Sequence, residues 1–276
     1  MNDALGERMK SQYEHRTRFF VPRRTYTVIR LDGKAFHTYT KGLNKPFDSG
    51  LYEDMDNAII AMLPHIQGAV FAYTQSDEIS VLVTDFATPT TSAWFDGNIQ
   101  KIVSVSSSII TTEFNQLRFS RKAKEWCSPL WDTSGIPTAY FDSRVFTIPD
   151  RIEVMNYFIW RNQDCARNAV SMVAQSKFSH KELQGKSTAQ MQEMLFQSHG
   201  INWSEYREDW KNGRLIVKEE YQAEVPTNQW GPISGGKNAP DVQYMDYSTR
   251  TRWVSTPAWK FTEDKDKLLE MVPKYE

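Results

Sequence analysis

Two apolar runs, Ala69 to Tyr73 and Ile79 to Val83, are separated only by the polar stretch Thr74-Gln75-Ser76-Asp77-Glu78, and no other feature limits the possible folds so tightly. Both have the length and apolar content of strands, and so short a polar link leaves an antiparallel hairpin as the natural connection. Upstream, Thr25 to Leu31 reads as a strand running into the turn signal Asp32-Gly33. Leu51, Met55, Ile59 and Met62 then recur at helical spacing from about Ser49 to Leu63, stopped near Pro64. Downstream of the hairpin, Asn98 to Leu117 carries Ile102, Val105 and Ile109 on one helical face, and Thr138 to Thr147 reads as a strand. The order strand, helix, strand, strand, helix, strand predicts a split βαβ, ferredoxin-type α+β core over residues 1–150, an antiparallel sheet with helices on one face. Phe86 to Gly97, rich in threonine and small residues, is expected on the surface.

Residues 151–276 read as a helical and mixed α/β extension packed on that core. Asp150 and Glu153 can cap a helix whose apolar positions include Met155, Ile159, Ala166, Val170 and Val173. Further elements are expected at Thr188 to Phe196 (helix), Leu215 to Val217 and Trp253 to Phe261 (strands) and Lys265 to Met271 (helix). Pro226, Gly231, Pro232, Gly235, Gly236 and Pro240 crowd a stretch that reads as a long loop.

Thirty-three basic residues against 34 acidic give a net charge of −1, so any nucleic-acid surface must be a local patch. Two such patches are present: Arg16, Arg18, Arg23 and Arg24 before the first strand, and Arg118, Arg121, Lys122 and Lys124 late in the second helix, followed by Trp126 and Trp131. Basic residues interleaved with aromatics suit a phosphate backbone and stacked bases, although either cluster can also be a solvated helix face. Two cysteines, Cys127 and Cys165, exclude a disulfide scaffold and a four-cysteine zinc site and read as buried thiols. The absence of a long apolar run excludes a membrane span, and the acid-bearing N-terminus lacks a signal pattern. A cytoplasmic protein is expected.

The chemistry concentrates at Asp32 and the doublet Asp77-Glu78. In a split βαβ sheet the first strand lies beside the hairpin, so an acid ending that strand can face acids at the turn. Converging carboxylates raise one another's pKa unless a cation lies between them, and hard oxygen ligands on short turns suit Mg²⁺. The alternative is that Asp32 and Asp77 simply form turns. Within Asp32-Gly33-Lys34-Ala35-Phe36-His37, Gly33 permits close approach of a phosphate and successive amides can form an anion-binding nest, with Lys34, His37 and Lys45 able to add charge. Gly185-Lys186-Ser187-Thr188 imitates the end of a P-loop, but His180 stands where the first glycine is required.

The runs Arg30-Leu31-Asp32-Gly33-Lys34-Ala35-Phe36-His37, Lys45-Pro46 with Asp48, Gln75-Ser76-Asp77-Glu78, Trp160-Arg161-Asn162-Gln163-Asp164-Cys165 and His180-Lys181-Glu182-Leu183 resemble, in order, the tRNA-histidine guanylyltransferase family. The resemblance spans most of residues 13–190. It implies a polymerase-palm-like core that adds nucleotides to tRNA 5′ ends in the 3′-to-5′ direction, with ATP and GTP as substrates, two Mg²⁺ ions and a homotetrameric assembly. Carried over by position, Asp32, Asp77 and the Gly33 carbonyl hold the metals. Asp32, Gly33, Lys34, Ala35, Phe36, His37, Lys45, Ser76 and Asp77 cradle the nucleotide, and Glu78 is a further acid needed for activity. Where eukaryotic members read His-Ile-Asn-Asn-Leu-Tyr-Asn, this chain has Ala166-Arg167-Asn168-Ala169-Val170-Ser171-Met172. That departure is similar to the guanylyltransferase-like proteins that repair tRNA 5′ ends by template-directed addition, rather than to enzymes adding one G to tRNA(His). Arg16, Arg18, Arg118, Arg121, Lys122 and Lys124 are the candidate tRNA contacts. A nucleotide cyclase on the same core would lack a need for basic tRNA surfaces, and a non-catalytic RNA-binding domain would have no use for Asp32 with Asp77.

Overall fold

The first long strand, β1 (Tyr26–Gly33), alternates its burial so that Ile29 and Leu31 enter one apolar core and Tyr26 and Val28 another. A strand buried on both faces must be covered on both, and this computed structural model, which describes residues 3–125, 135, 137–226 and 245–275, shows how. Ahead of β1 lies α1 (Ala4–Gln12), with no buried residue. Behind it come a short helix α2 (Phe36–Tyr39) and α3 (Ser49–Met62), whose first turn is capped by Asp48 accepting from the Leu51 amide at 2.8 Å. The hairpin follows as β2 (Ala69–Gln75) and β3 (Glu78–Val83), then α4 (Ile99–Glu125) and β4 (Phe141–Ile148). The second half contributes α5 (Arg151–Gln175), α6 (His180–Leu183), α7 (Thr188–His199), α8 (Glu208–Asn212), β5 (Arg214–Pro226), β6 (Met245–Pro257) and α9 (Lys265–Met271).

All six strands form one antiparallel sheet in the order β4-β1-β3-β2-β5-β6. Its first four members have the expected ferredoxin-type order, and α3 and α4 cover one face through Met55, Ile59, Ile102, Ile110 and Phe114. The opposite face packs on α5 and α9 through Val154, Phe158 and Leu268. β5 and β6 continue the same sheet rather than start a second one. Arg214, buried, donates to Asp56 on α3 at 2.6 Å while Ser255 on β6 donates to the same carboxylate at 2.7 Å, so three elements share one charge.

Several expectations are corrected. Asp32 and Gly33 do not form a turn: they remain in β1, opposite Glu78 and Phe141 respectively. Thr74, Gln75 and Glu78 are likewise strand residues, paired Thr74 with Ile79 and Gln75 with Glu78, so the turn is Ser76-Asp77 alone, with Ser76 at φ +50°. Polar side chains at a strand end mimic a loop when only composition is read. Phe86 and Trp94, placed in a surface segment by composition, are both buried. β5 and β6 are far longer than the runs Leu215 to Val217 and Trp253 to Phe261; Phe261 lies beyond β6, in the α5-side core. Pro226 ends β5, and the remaining glycines and prolines of the expected loop lie outside the described residues, as do Trp126, Cys127 and Trp131. Gly185 and Ser187 are the turn and N-cap of α7, with a capping box between Ser187 and Gln190.

Gly33 is required by contact rather than by torsion. A β-carbon there would stand 2.2 Å from the Phe36 ring and 2.9 Å from Asp77 Cβ. Phe36 cannot retreat, because its ring packs on Tyr39, Phe114 and Phe141 at centroid distances of 4.9, 5.8 and 5.3 Å. Gly33→Ala is therefore expected to destabilise the protein by about 1–3 kcal/mol in denaturant titration and to displace Asp77. A variant as stable as the parent would show that the ring can move aside.

Candidate active site

Strand alternation gathers one charged cluster on a single face. On β1, Arg30 and Asp32 share the face of Val28, turned toward α5; on β3, Glu78 and Ser80 share the face of Leu82; on β4, Asp142 and Arg144 share that of Phe146. The sheet is mostly apolar on its α3–α4 side, where the polar residues Ser143 and Arg214 find partners on α4 and α3, and divided on its α5 side, with apolar residues at one end and charges at the other. Asp32 and Glu78 are direct cross-strand partners and Asp77 occupies the turn beside them.

Three acids so placed need a division of labour, and Arg161 of α5 provides it. Its guanidinium donates to both oxygens of Glu78, each at 2.6 Å, and to Asp164 at 2.9 Å, while Arg30 donates to Glu78 at 2.5 Å. Arg161 is 3% and Glu78 8% exposed, so the pair is shielded from water. Glu78 is fully engaged by two cations, and among the described residues Asp77 has no ion-pair partner. Asp32 has only the exposed Arg144, 3.8 Å away and nearer to Asp142 at 3.1 Å. Burial pushes the Asp77 carboxyl up to about 6, with Asp32 and Glu78 adding repulsion and the Ser76 hydroxyl opposing it.

These residues open onto a cavity of about 370 Å³. Asp32, Ser76, Asp77 and Glu78 form one end, Phe47, Tyr52 and Trp210 one wall, and Asn168, Ser171 and Gln175 of α5 another. Asn168, Ala169, Ser171 and Met172, from the block that departs from the eukaryotic pattern, therefore face the same space as Asp77. Cys165 also borders it, its thiol pushed up to about 11 by burial and hence protonated and inert at neutral pH.

The phosphate cradle is only partly as expected. Lys34 donates its amide to the Tyr140 carbonyl at 2.8 Å, removing it from any anion nest. Ala35 takes a left-handed conformation (φ 54°), and Phe36 and His37 open α2, where amides have no helical acceptor. The Phe36 side chain is core. Lys34, His37 and Lys45 are exposed, His37 with its Nε2 3.0 Å from the Thr38 hydroxyl.

The basic clusters fare less well as RNA contacts. Arg118 is 4% exposed and bound to Asp54 at 2.8 Å, and Arg121 to Asp54 and Glu53 at 2.7 and 2.9 Å; both lock α4 against α3. Arg23 and the Arg24 amide hold Asp85, and the Arg24 side chain donates to Tyr275. Arg16 and Lys124 remain exposed, Lys122 is partly buried, and Arg18 lies over Phe20 at 5.6 Å. Arg16 and Arg18 precede the start of β1, about 20 Å from Asp32 at 3.3 Å per strand residue. Residues that motif reading quoted without a role, Arg30, Trp160, Arg161 and Asp164, prove central. A basic residue inside the apolar stripe Phe158, Arg161, Cys165 was the available signal, because a buried arginine needs an acid.

The family described as Thg1, tRNAHis guanylyltransferase, matches residues 6–149. The chain belongs to the tRNAHis guanylyltransferase family. It is accordingly a nucleotidyltransferase. It is 28% identical over 230 residues to the tRNA(His) guanylyltransferase of Debaryomyces hansenii, covering 76% of this chain and 81% of that one. The solved bacterial tRNA(HIS) guanylyltransferase (Thg1)-like protein in complex with ATP superposes with a TM-score of 0.79 at 35% identity, over 98% of this chain and 99% of that one. Its complex with GTP gives a TM-score of 0.73 at the same identity and coverage. This member of the family has no helix among the described residues long and apolar enough to cross a membrane.

Two predictions follow from the charges. Because Asp77 holds its proton more tightly folded (about 6) than unfolded (3.8), metal-free protein loses stability as pH rises between those values. Asp77→Asn, measured by thermal denaturation in chelator, should therefore gain on the parent from pH 4 to 6.5, by on the order of 2 kcal/mol, and then level off. A gap independent of pH would contradict the raised carboxyl. Separately, Glu78→Gln or Arg161→Met alone should cost about 3–5 kcal/mol, whereas the double variant should cost clearly less than the sum. Strict additivity in that double-mutant cycle would mean the two groups do not act as a pair.

Proposed function

We propose that this protein extends tRNA 5′ ends in the 3′-to-5′ direction on a polymerase-palm-like core, choosing the incoming nucleotide by pairing with the opposite strand of the acceptor stem. One observation carries the reading: Asp32 and Asp77 stand beside a nucleotide-sized cavity without a strong cationic partner, while the third acid is neutralised by Arg161 and Arg30. An all-oxygen donor set on two half-buried carboxylates that repel one another fits a hard divalent cation. Asp32, Asp77 and the Gly33 carbonyl would hold two Mg²⁺ ions, which when bound neutralise triphosphate charge and acidify an attacking hydroxyl.

The chain's own groups organise the rest. Lys34, His37 and Lys45 supply positive charge and hydrogen bonds to a triphosphate, and the left-handed Ala35 sets the amides of Phe36 and His37 at the start of α2. Glu78 acts as a positioning residue, fixing Arg161 and through it α5 against the hairpin. The reaction the family resemblance implies begins with nucleotidyl transfer from ATP to a 5′-monophosphate. That step releases pyrophosphate; the 3′-hydroxyl of GTP or another nucleotide then attacks the activated 5′ phosphate and expels AMP, and hydrolysis removes the pyrophosphate left on the new end. The bacterial relatives solved with ATP and with GTP support those substrates. A chain of two cysteines with Cys165 a buried free thiol suits a reducing, cytoplasmic setting, and the family resemblance supports a homotetramer, which light scattering tests.

Template direction rests on the replaced block: Ala169 and Met172 in the cavity wall, and Ala166 outside it, offer no side-chain hydrogen bonds where eukaryotic members carry asparagine and histidine. The protein then needs only phosphate and shape contacts, since base pairing carries the sequence information. The test uses truncated tRNAs differing only in anticodon, or only in the base opposite the missing nucleotide. Addition should follow the opposing base, and Asp32→Ala or Asp77→Ala should each lower it by several kcal/mol in transition-state terms while leaving the fold intact. Addition that tracked the anticodon and ignored the opposing base would favour the tRNA(His)-specific reading carried by the relatives' names.

A further inference from the structure

Trp160 sits on α5 next to Arg161 but points elsewhere, since successive helical residues lie about 100° apart. Arg161 borders the nucleotide cavity; Trp160 does not, and about half of its surface is exposed (48%). A single exposed aromatic needs no explanation by itself. This one is held unusually firmly. The Arg161 guanidinium lies 4.4 Å from its ring centroid and is itself pinned by Glu78 and Asp164, Arg30 approaches to 5.9 Å, and Tyr157 meets its edge at 5.9 Å.

The strand register adds a second observation. Arg30 on β1 and Arg144 on β4 are direct cross-strand partners on the α5-facing side of the sheet. Like charges opposed in this way are destabilising. Glu78 answers for Arg30, whereas Arg144 is 53% exposed and reaches only toward Asp142 and Asp32. Arg30 thus links the two, approaching the half-exposed indole and facing the outward-turned Arg144 across the strands, so that a stacking surface and a phosphate contact lie on the same side of the sheet, one strand from Asp32.

We propose that Trp160 is the platform on which the 5′-terminal base of the RNA stacks, with Arg144 contacting that nucleotide's phosphate, so that the RNA end and the incoming nucleotide reach Asp32 and Asp77 from opposite sides of the Arg161–Glu78 pair. The inference rests on the proposed nucleotidyl transfer to RNA and adds the group that positions the acceptor end. A small nucleotide belongs in the cavity lined by Asn168 and Ser171, which leaves the Trp160 side for the polymer. Trp160 is a positioning residue, so removing it should change RNA engagement and leave nucleotide binding alone.

The probe is an acceptor-stem RNA lacking its 5′ nucleotide and carrying 2-aminopurine as the new 5′ residue, compared with the same RNA labelled internally. The parent should quench the terminal label and leave the internal one unchanged. Trp160→Ala should lose that quenching and raise Kd and KM for RNA roughly 5- to 50-fold. Its KM for ATP and GTP should stay at the parental value, and Trp160→Phe should restore most of the RNA affinity. Arg144→Gln should weaken RNA binding and reduce its salt dependence. The inference is overturned if Trp160→Ala quenches like the parent, if it and Trp160→Phe are equally impaired, or if the parent quenches both label positions alike; this last readout needs no variant to fold. A parent that adds no nucleotide yet shows Trp160-dependent terminal quenching would sink the proposed reaction and keep this contact. An active parent whose Trp160→Ala variant has parental quenching and KM would sink the contact alone.

Discussion

The pairing of Arg161 with Glu78 governs the rest of the structure. Without it Glu78 would keep only Arg30 against the charges of Asp32 and Asp77, and α5 would be tied to the strands by the Tyr157–Ser80 hydroxyl pair and its apolar contacts. With it, one acid becomes a structural anchor, and among the described residues the other two keep no strong cationic partner. Such a buried pair adds little net stability over an apolar replacement, because both ions are desolvated. Its value lies in geometry: a fork of two parallel hydrogen bonds admits one orientation of helix against strand.

The two faces of the sheet show how the fold makes room for this arrangement. The α3–α4 side is mainly apolar core, supplying the burial that stabilises the domain, and its charges are paired internally, Asp54 with Arg118 and Arg121 and Asp56 with Arg214. On the α5 side the helix meets the sheet through apolar residues as far as Phe158 and then through Arg161, while its second half packs Ala169, Val173 and Ala174 into a separate core with Phe47, Leu183 and Leu195. The second half of the chain completes the cavity. Trp210 of α8 stacks on Phe47 at 4.9 Å, and Arg214 lies over the cavity-wall residue Tyr52 at 4.3 Å, so a wall contributed early in the sequence is braced by residues far along it.

What could be read from the chain follows physical range. The hairpin, α3, α4 and α9 were legible because their periodicity is local, as was the convergence of Asp32 on Asp77, which needs only the topology. The motif resemblance named the family that the comparisons then showed. The charge partners were not legible: Arg118 and Arg161 look alike in sequence, each a basic residue near the middle or end of an amphipathic helix, and only the third dimension assigns Asp54 to one and Glu78 to the other. The lengths of β5 and β6 were hidden for a different reason. Beyond Ile216, β5 carries the consecutive charges Lys218-Glu219-Glu220 and β6 mixes Arg250 and Arg252 with Ser248, Thr249 and Thr251, compositions that suit pairing with each other and give no burial pattern to read.

The two-residue turn has an evolutionary consequence. Side chains on a strand alternate faces, so adding or deleting one residue in β2 or β3 would carry Glu78 away from Arg161 to the apolar side and bring Ile79 into its place. Ser76-Asp77 offers no slack to absorb the change, since Gln75 and Glu78 close directly across it. The distance from the start of β2 to the end of β3 is therefore a fixed ruler, and length variation among descendants of this chain belongs in the segments beyond its two ends.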